Sequence, residues 1–322
     1  MRLLTKHSVL YTEMIHESFI NQNPQKAKNL LQFDPIQHPV VIQLGGCDPN
    51  KLQEAALICQ DIGYDEINLN VGCPSDRVQC GKFGACLMKE PETVSKIMQK
   101  MQQILKIPCT IKCRLGVDNL DQYEFLQKFV QEISENGKVQ HFIVHARIAI
   151  LKGLTPSQNR IVPSLKYDFV LQLKQDFPHI DFSINGGFKT FQQIENILKE
   201  ENNLMGCMIG RLAYENPYFF SDVDRRFYKQ DNLNWNRKDI LLIWGQYGKH
   251  QMKLNKNLSV FILNRPILSL FQGEKHSSKY KQFISDKKNF EKCLDYENFI
   301  HEAIYIMEIH NPDVLYNNFK HL

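Results

Sequence analysis

The chain has 322 residues, 43% of them hydrophobic, enough for one large domain and a smaller one. Nine cysteines, with no CxxC pair and no zinc-like spacing to histidine, exclude a disulfide framework and a metal cage and fit a reduced, cytoplasmic enzyme. No apolar run approaches a membrane span, and no signal-peptide pattern precedes a cleavage site, so no membrane partner is expected.

The net charge of +4 is unevenly placed. Residues 1–215 hold 23 basic and 23 acidic side chains, whereas residues 216–322 hold 16 and 12. Within residues 249–292 there are 10 basic and 3 acidic residues, a local excess that suits a polyanion or, equally, a solvated helical face.

In chain order, strand-like segments are expected at 9–15, 39–45, 66–72, 109–115, 141–147, 181–185 and 207–209. Helix-period segments lie between most of them, at 51–62, 92–106, 122–136, 167–177 and 191–199. Alternation of this kind predicts a parallel sheet covered by helices, a TIM (β/α)8-type barrel with one strand apparently missing from the front. After Asn216-Pro217 the strand signal stops. Helices are expected at 235–254, 258–271, 279–284 and 296–309, so the division is residues 1–216 as barrel and 217–322 as an all-helical domain.

The organising stretch is INLNVGCPSDRVQCGKFGACLM, residues 67–88. Ile67, Leu69 and Val71 alternate with Asn68, Asn70 and Gly72, and Pro74 then ends the ladder because it lacks a backbone donor. Cys73 thus sits where a strand gives way to its loop, with two carboxamides on the face opposite the apolar residues. A buried cysteine alone is better explained by packing. Its polar neighbours and the two-glycine loop point to chemistry.

Polar pairs two residues apart recur near the C-terminal ends of other strands: Lys112 with Arg114, His145 with Arg147, and Ser183 with Asn185. Gln43 closes another. Residues so spaced share one face of a strand, and the C-terminal rim is where barrels build their sites. Asn185-Gly186-Gly187 and Gly210-Arg211 follow the last two strands, a frequent place for a phosphate. The loop RIAILKGLTPSQNRIVP, residues 147–163, is long enough to be a lid or binding loop.

LNVGCPSDRVQCGKFGACLM, IKCRLGVD, FIVHARIAILKGLTPSQNR, SINGGF and IGRLAYENP occur in that order, and together they resemble the tRNA-dihydrouridine synthases, of the type acting on D-loop uridines 20 and 20a. The similarity runs from about Arg2 to Phe271. It implies an FMN-binding barrel with a helical tRNA-binding domain, a monomer with no metal, reduced by NADPH. Cys73 matches the family's catalytic cysteine, the proton donor to C5 of the uracil. Gln43, Lys112 and His145 match flavin ligands, and Asn185, Gly186, Gly187, Gly210 and Arg211 the phosphate grip. Asn70 matches a residue close to the base. Arg147, Arg160 and Lys281 match the tRNA side.

Two departures from the pattern stand out. The family's first strand, with its Ala-Pro-Met segment, has no counterpart here, which reads as a truncation. Ser278 and Lys281 stand where arginines are expected, which predicts altered tRNA selection. The alternatives are a flavin-less tRNA-binding relative without catalysis, or a flavoenzyme acting on a free pyrimidine.

Overall fold

The computed structural model describes residues 1–317. They fall into two units, residues 9–209 and residues 1–8 together with the chain from Gly210 onward. Among the described residues no helix is long and apolar enough to cross a membrane.

The first unit is one seven-stranded sheet of β1 (Leu10–His16), β2 (Val40–Gly45), β3 (Glu66–Val71), β4 (Cys109–Arg114), β5 (His141–His145), β6 (Asp181–Asn185) and β7 (Gly206–Met208). Every neighbouring pair is parallel, and strand order equals chain order, the winding of a TIM-type barrel. The seven strands match the sequence expectation to within a residue or two at each end. Strands of such a sheet are covered on both faces, so β2 is buried along its whole length, and apolar runs such as Phe142-Ile143-Val144 form.

Helices connect the strands: α1 (Glu17–Gln22), α2 (Pro24–Leu31), α3 (Pro49–Ile62), α4 (Asp76–Cys80), α5 (Pro91–Ile104), α6 (Tyr123–Glu135), α7 (Tyr167–Asp176) and α8 (Phe191–Ile197). Their limits follow from local chemistry. Asp48 caps α3 by accepting from Asn50 and Lys51 backbone N–H groups, Pro49 fills the first turn, and Gly63 stops the helix at φ 108°. Thr190 and Gln193 form a reciprocal capping box on α8. On α6, Leu126, Phe129, Val130 and Ile133 make one buried stripe at helical spacing.

The second unit holds α9 (Arg211–Glu215), α10 (Val223–Tyr228), α11 (Arg237–Leu254), α12 (Val260–Asn264), α13 (Ser277–Ser285), α14 (Lys287–Glu291), α15 (Tyr296–His310) and α16 (Pro312–Tyr316). The helical region expected from sequence is present, although the 258–271 segment is helical only over α12 and continues as turns. Helices α11 and α15 form its centre, where Gly245 and Gly248 let Ile300 and Tyr296 approach the α11 backbone. Arg237 is buried over the Tyr218 ring, 3.8 Å from its centroid, and is neutralised by Glu274 at 2.7 Å. The opening residues join this unit through Asp224, whose buried carboxylate accepts from Thr5 Oγ1 at 2.6 Å and from the Lys6 and His7 backbone N–H groups. Residues 1–7 form turns and bends rather than a helix or strand.

Candidate active site

Register places the polar residues of adjacent strands side by side. Gln43 pairs with Asn68, Asn70 with Lys112, Arg114 with His145, and His145 with Asn185. The inward positions of β2 to β6 therefore bring most of the expected site residues to one end of the sheet, the end at which Cys73 leaves β3.

A directed chain of hydrogen bonds runs up to that cysteine. Thr110 Oγ1 donates to Glu66, and Asn68 Nδ2 donates to Thr110 Oγ1 at 2.9 Å. Gln43 Nε2 donates to Asn68 Oδ1 at 2.8 Å, and Asn70 Nδ2 to Gln43 Oε1 at 2.7 Å. Asn70 Oδ1 then accepts from the backbone N–H groups of Gly72 and Cys73, at 3.1 and 2.9 Å. Backbone N–H groups only donate, so the cysteine end fixes the orientation of every amide in the chain. One N–H of Asn70 is used in this way, and among the described residues its second meets no acceptor. Burial pushes the Glu66 carboxyl above its usual range, while its bonds from Thr110 and Tyr11 oppose that shift.

The Cys73 thiol is half-buried, and its Sγ lies 3.5 Å from Ser75 Oγ. Its carbonyl accepts from Ala85 N–H at 2.9 Å. Gly84, at φ 64°, makes that approach possible, since a Cβ there would stand 2.6 Å from the Cys73 oxygen.

Lys112 is half-buried beside this chain, and among the described residues no acceptor binds its ammonium. Burial chiefly, with a contribution from Arg114, pushes it down to about 8. Arg114, only 4% exposed, is lowered to about 10 by burial and stays cationic at neutral pH. Its guanidinium donates to the carbonyls of Gly72, Ile148 and Asn159 at 3.1, 3.0 and 2.8 Å.

His145 is buried under Gly186, where an added Cβ would meet the imidazole Cδ2 at 2.7 Å. Gly186 and Gly187 have φ of 120° and 80°, and Tyr167 donates to the Gly186 carbonyl at 2.6 Å. The Asn185 amide turns to the next strand and donates to Met208 at 2.7 Å. Gly210 and Arg211 belong to the second unit, where Gly210 precedes α9 and both are exposed.

The 147–163 loop is ordered from within. Asn159 is fully buried; its Oδ1 accepts from Ile150 N–H at 2.8 Å, and its Nδ2 donates to the Ile150 carbonyl at 2.9 Å. Arg147 is 9% exposed and donates to the carbonyls of Ile161 and Pro163 in its own loop. Arg160, by contrast, is exposed. Lys281 lies on α13, half-buried, and donates to Gln272 Oε1, while Ser278 beside it is exposed.

Asn159 and Thr110 are the residues that sequence analysis left out of the site, and Arg114 was named there without a role. Thr110 shares the inward period of Lys112 and could have been found from it. Nothing in the local sequence marks Asn159.

Two features of this set suit a ligand that carries a phosphate. One is the ammonium of Lys112, held half-buried with no protein acceptor among the described residues. The other is the pair of side-chain-free positions over His145. Cys73 is the cysteine whose backbone N–H the amide chain itself holds, through Asn70 Oδ1.

Residues 1–304 match the family model described as Dihydrouridine synthase (Dus). The chain belongs to the dihydrouridine synthase family. It is 46% identical over 286 residues to a tRNA-dihydrouridine(20/20a) synthase of Synechocystis, covering 89% of this chain and 83% of that one. It is 41% identical to the protein of the same name from Vibrio parahaemolyticus, over 88% of this chain and 85% of that one. The Escherichia coli K12 protein of that name is 39% identical, over 89% and 81%. The dihydrouridine synthases are enzymes, and so is this chain.

Proposed function

We propose that this enzyme reduces uridine to 5,6-dihydrouridine in the D-loop of tRNA, at positions 20 and 20a, with FMN as its resident cofactor and NADPH as reductant. The observation that carries the reading is the placement of the Cys73 thiol, at the sheet end where Asn70, Lys112 and His145 converge. Gln43, Lys112, His145, Asn185, Gly186 and Gly187 hold the cofactor, and Gly210 and Arg211 keep the phosphate assignment that the resemblance gives them. When bound and reduced, the flavin would provide the hydride-donor chemistry needed at C6 of the uracil ring.

This chain's residues do the rest. Negative charge grows through C5 and the C4 carbonyl as C6 is attacked, and a positioned acid lowers that barrier. Cys73 donates its thiol proton to C5, and the thiolate left behind regains a proton from solvent. The backbone at Cys73 is held by Asn70, so the thiol need not be ordered during the reaction. The second N–H of Asn70 is a donor for a pyrimidine carbonyl. A uridine within folded tRNA has to leave its stack to reach such a site, and unpairing costs a few kcal/mol that tRNA contacts must offset. Arg160 and Lys281 are placed on the tRNA side of this reading, and the basic 249–292 stretch meets phosphates.

The test is direct. Purified protein is inspected for a flavin absorbance band and then given unmodified tRNA and NADPH, and dihydrouridine is measured by nucleoside mass spectrometry, with free uridine assayed in parallel. Product in tRNA alone supports the proposal. A colourless protein that binds tRNA without turning it over overturns it, as does equal turnover of the free nucleoside.

A further inference from the structure

Gln79 has no role in the reaction as described, yet its side chain occupies an unusual position. It lies on α4, the short helix after Cys73, and donates both amide hydrogens to carbonyls: Pro74 O at 2.8 Å and Leu151 O at 2.7 Å. Pro74 directly follows Cys73, and Leu151 belongs to the 147–163 loop. Arg114 makes the matching connection on the other side of the cysteine, from the Gly72 carbonyl to Ile148 and Asn159. The carbonyls immediately before and after Cys73 are thus each strapped, through one side chain, to the same distant loop. Gln79 and Leu151 are 72 residues apart.

A carbonyl can only accept, so the Gln79 amide has to present both N–H groups here, and no other uncharged side chain of its length offers two donors from one atom. Leu151 is further fixed by its own N–H, which donates to Asp118 Oδ1 at 2.9 Å. The loop is therefore stiff where Gln79 grips it, and a displacement at Leu151 is passed to Pro74 rather than absorbed.

We propose that Gln79 is a positioning residue that ties the Cys73 loop to the 147–163 loop, so that the two open and close as one element. Contact of RNA with the exposed Arg160 side of that loop then sets where the thiol stands. The catalytic consequence rests on the reading of Cys73 as the proton donor; the mechanical coupling does not.

The test uses the full chain and two probes that need neither cofactor nor turnover. Iodoacetamide labelling of Cys73, followed by peptide mass spectrometry, reports the cysteine loop. Trypsin cleavage after the exposed residues Lys152 and Arg160 reports the other loop. Gln79→Glu keeps the shape but sets a carboxylate against two carbonyls, and Gln79→Ala removes the strap. Losing two hydrogen bonds raises a local opening equilibrium on the order of tenfold or more, so both rates rise by about that factor and together. Gln99→Ala, which loses an unrelated bond from Gln99 to the Asn136 carbonyl, leaves both rates at the parent value.

With FMN content unchanged, kcat for tRNA falls while the fold, read by far-ultraviolet circular dichroism, is retained. Rates that stay at the parent value in both Gln79 variants overturn the proposal, and so does a rise in only one of them. Turnover that survives Cys73→Ala sinks the role of the thiol and leaves the strap standing.

Discussion

Replacing Gly248 by alanine should destabilise the helical unit, whereas the same change at Gly245, one turn earlier on α11, should not. A Cβ at Gly248 would overlap the Cδ1 and Cε1 atoms of Tyr296, and Tyr296 is 1% exposed with its hydroxyl donating to Asn264 at 2.9 Å. Carbon atoms pack at about 3.5–4.0 Å, so the ring has to move by roughly an ångström. Overpacking of this kind costs about 1–3 kcal/mol, and losing the Tyr296 bond adds about 1 kcal/mol.

Alanine returns up to about 1 kcal/mol of helix propensity, so the net loss for Gly248→Ala is about 2 kcal/mol. At Gly245 the nearest atom is Ile300 Cβ at 3.2 Å, a contact relieved by a few tenths of an ångström, and the propensity gain offsets it. Both tryptophans, Trp235 and Trp244, lie in this unit, so urea unfolding followed by their fluorescence reads it selectively. With a slope of about 2 kcal/mol/M, Gly248→Ala lowers the midpoint by about 1 M. Equal midpoints for the two variants, or a Gly248→Ala protein as stable as the parent, would refute the packing argument.

Four further outcomes can be measured. Cys73→Ala should lower single-turnover dihydrouridine formation by about 10²–10⁴-fold, with FMN content and tRNA affinity retained. FMN affinity should weaken as the pH rises through about 8, where the depressed Lys112 ammonium loses its proton, and Lys112→Met should flatten that profile in a flavin-fluorescence titration. The same ammonium has a sign for stability. Because its folded value lies below the unfolded one, the unfolded chain holds more protons between about 8 and 10.4, and its contribution to stability rises across that window. Affinity for tRNA should fall steeply between low and moderate salt, and a flat dependence in filter binding would remove the basic stretch as the docking surface.

The strands were legible because each repeats a period of two or an unbroken apolar run, and the helices because each repeats a helical period, as Leu126, Phe129, Val130 and Ile133 do on α6. The site was half legible for a related reason. Gln43, Asn70, Lys112 and His145 lie on strands, where alternation alone says which residues share a face. What sits in loops could not be read this way. Arg147 shows the inward period of β5, but the strand ends at His145 and the guanidinium turns to Ile161 and Pro163. Asn159 is fully buried in a segment whose local sequence looks polar and solvated, because its partners are loop backbone rather than a strand ladder. The straps from Gln79 and Arg114 join residues far apart in the chain, and no local pattern encodes them.

The Asp224 carboxylate has a practical bearing on how this protein can be taken apart. The chain passes between its two units twice, near residue 8 and near residue 209, so a single cut at the second junction leaves residues 1–8 attached to the strand unit rather than to the helical one. A fragment beginning at residue 217 would carry Asp224 without Thr5, Lys6 and His7, stranding an acid that is 1% exposed when the whole chain folds. Supplying residues 1–8 as a separate peptide, or splicing them ahead of residue 210 through a flexible tether, is the dissection that would keep that acid satisfied.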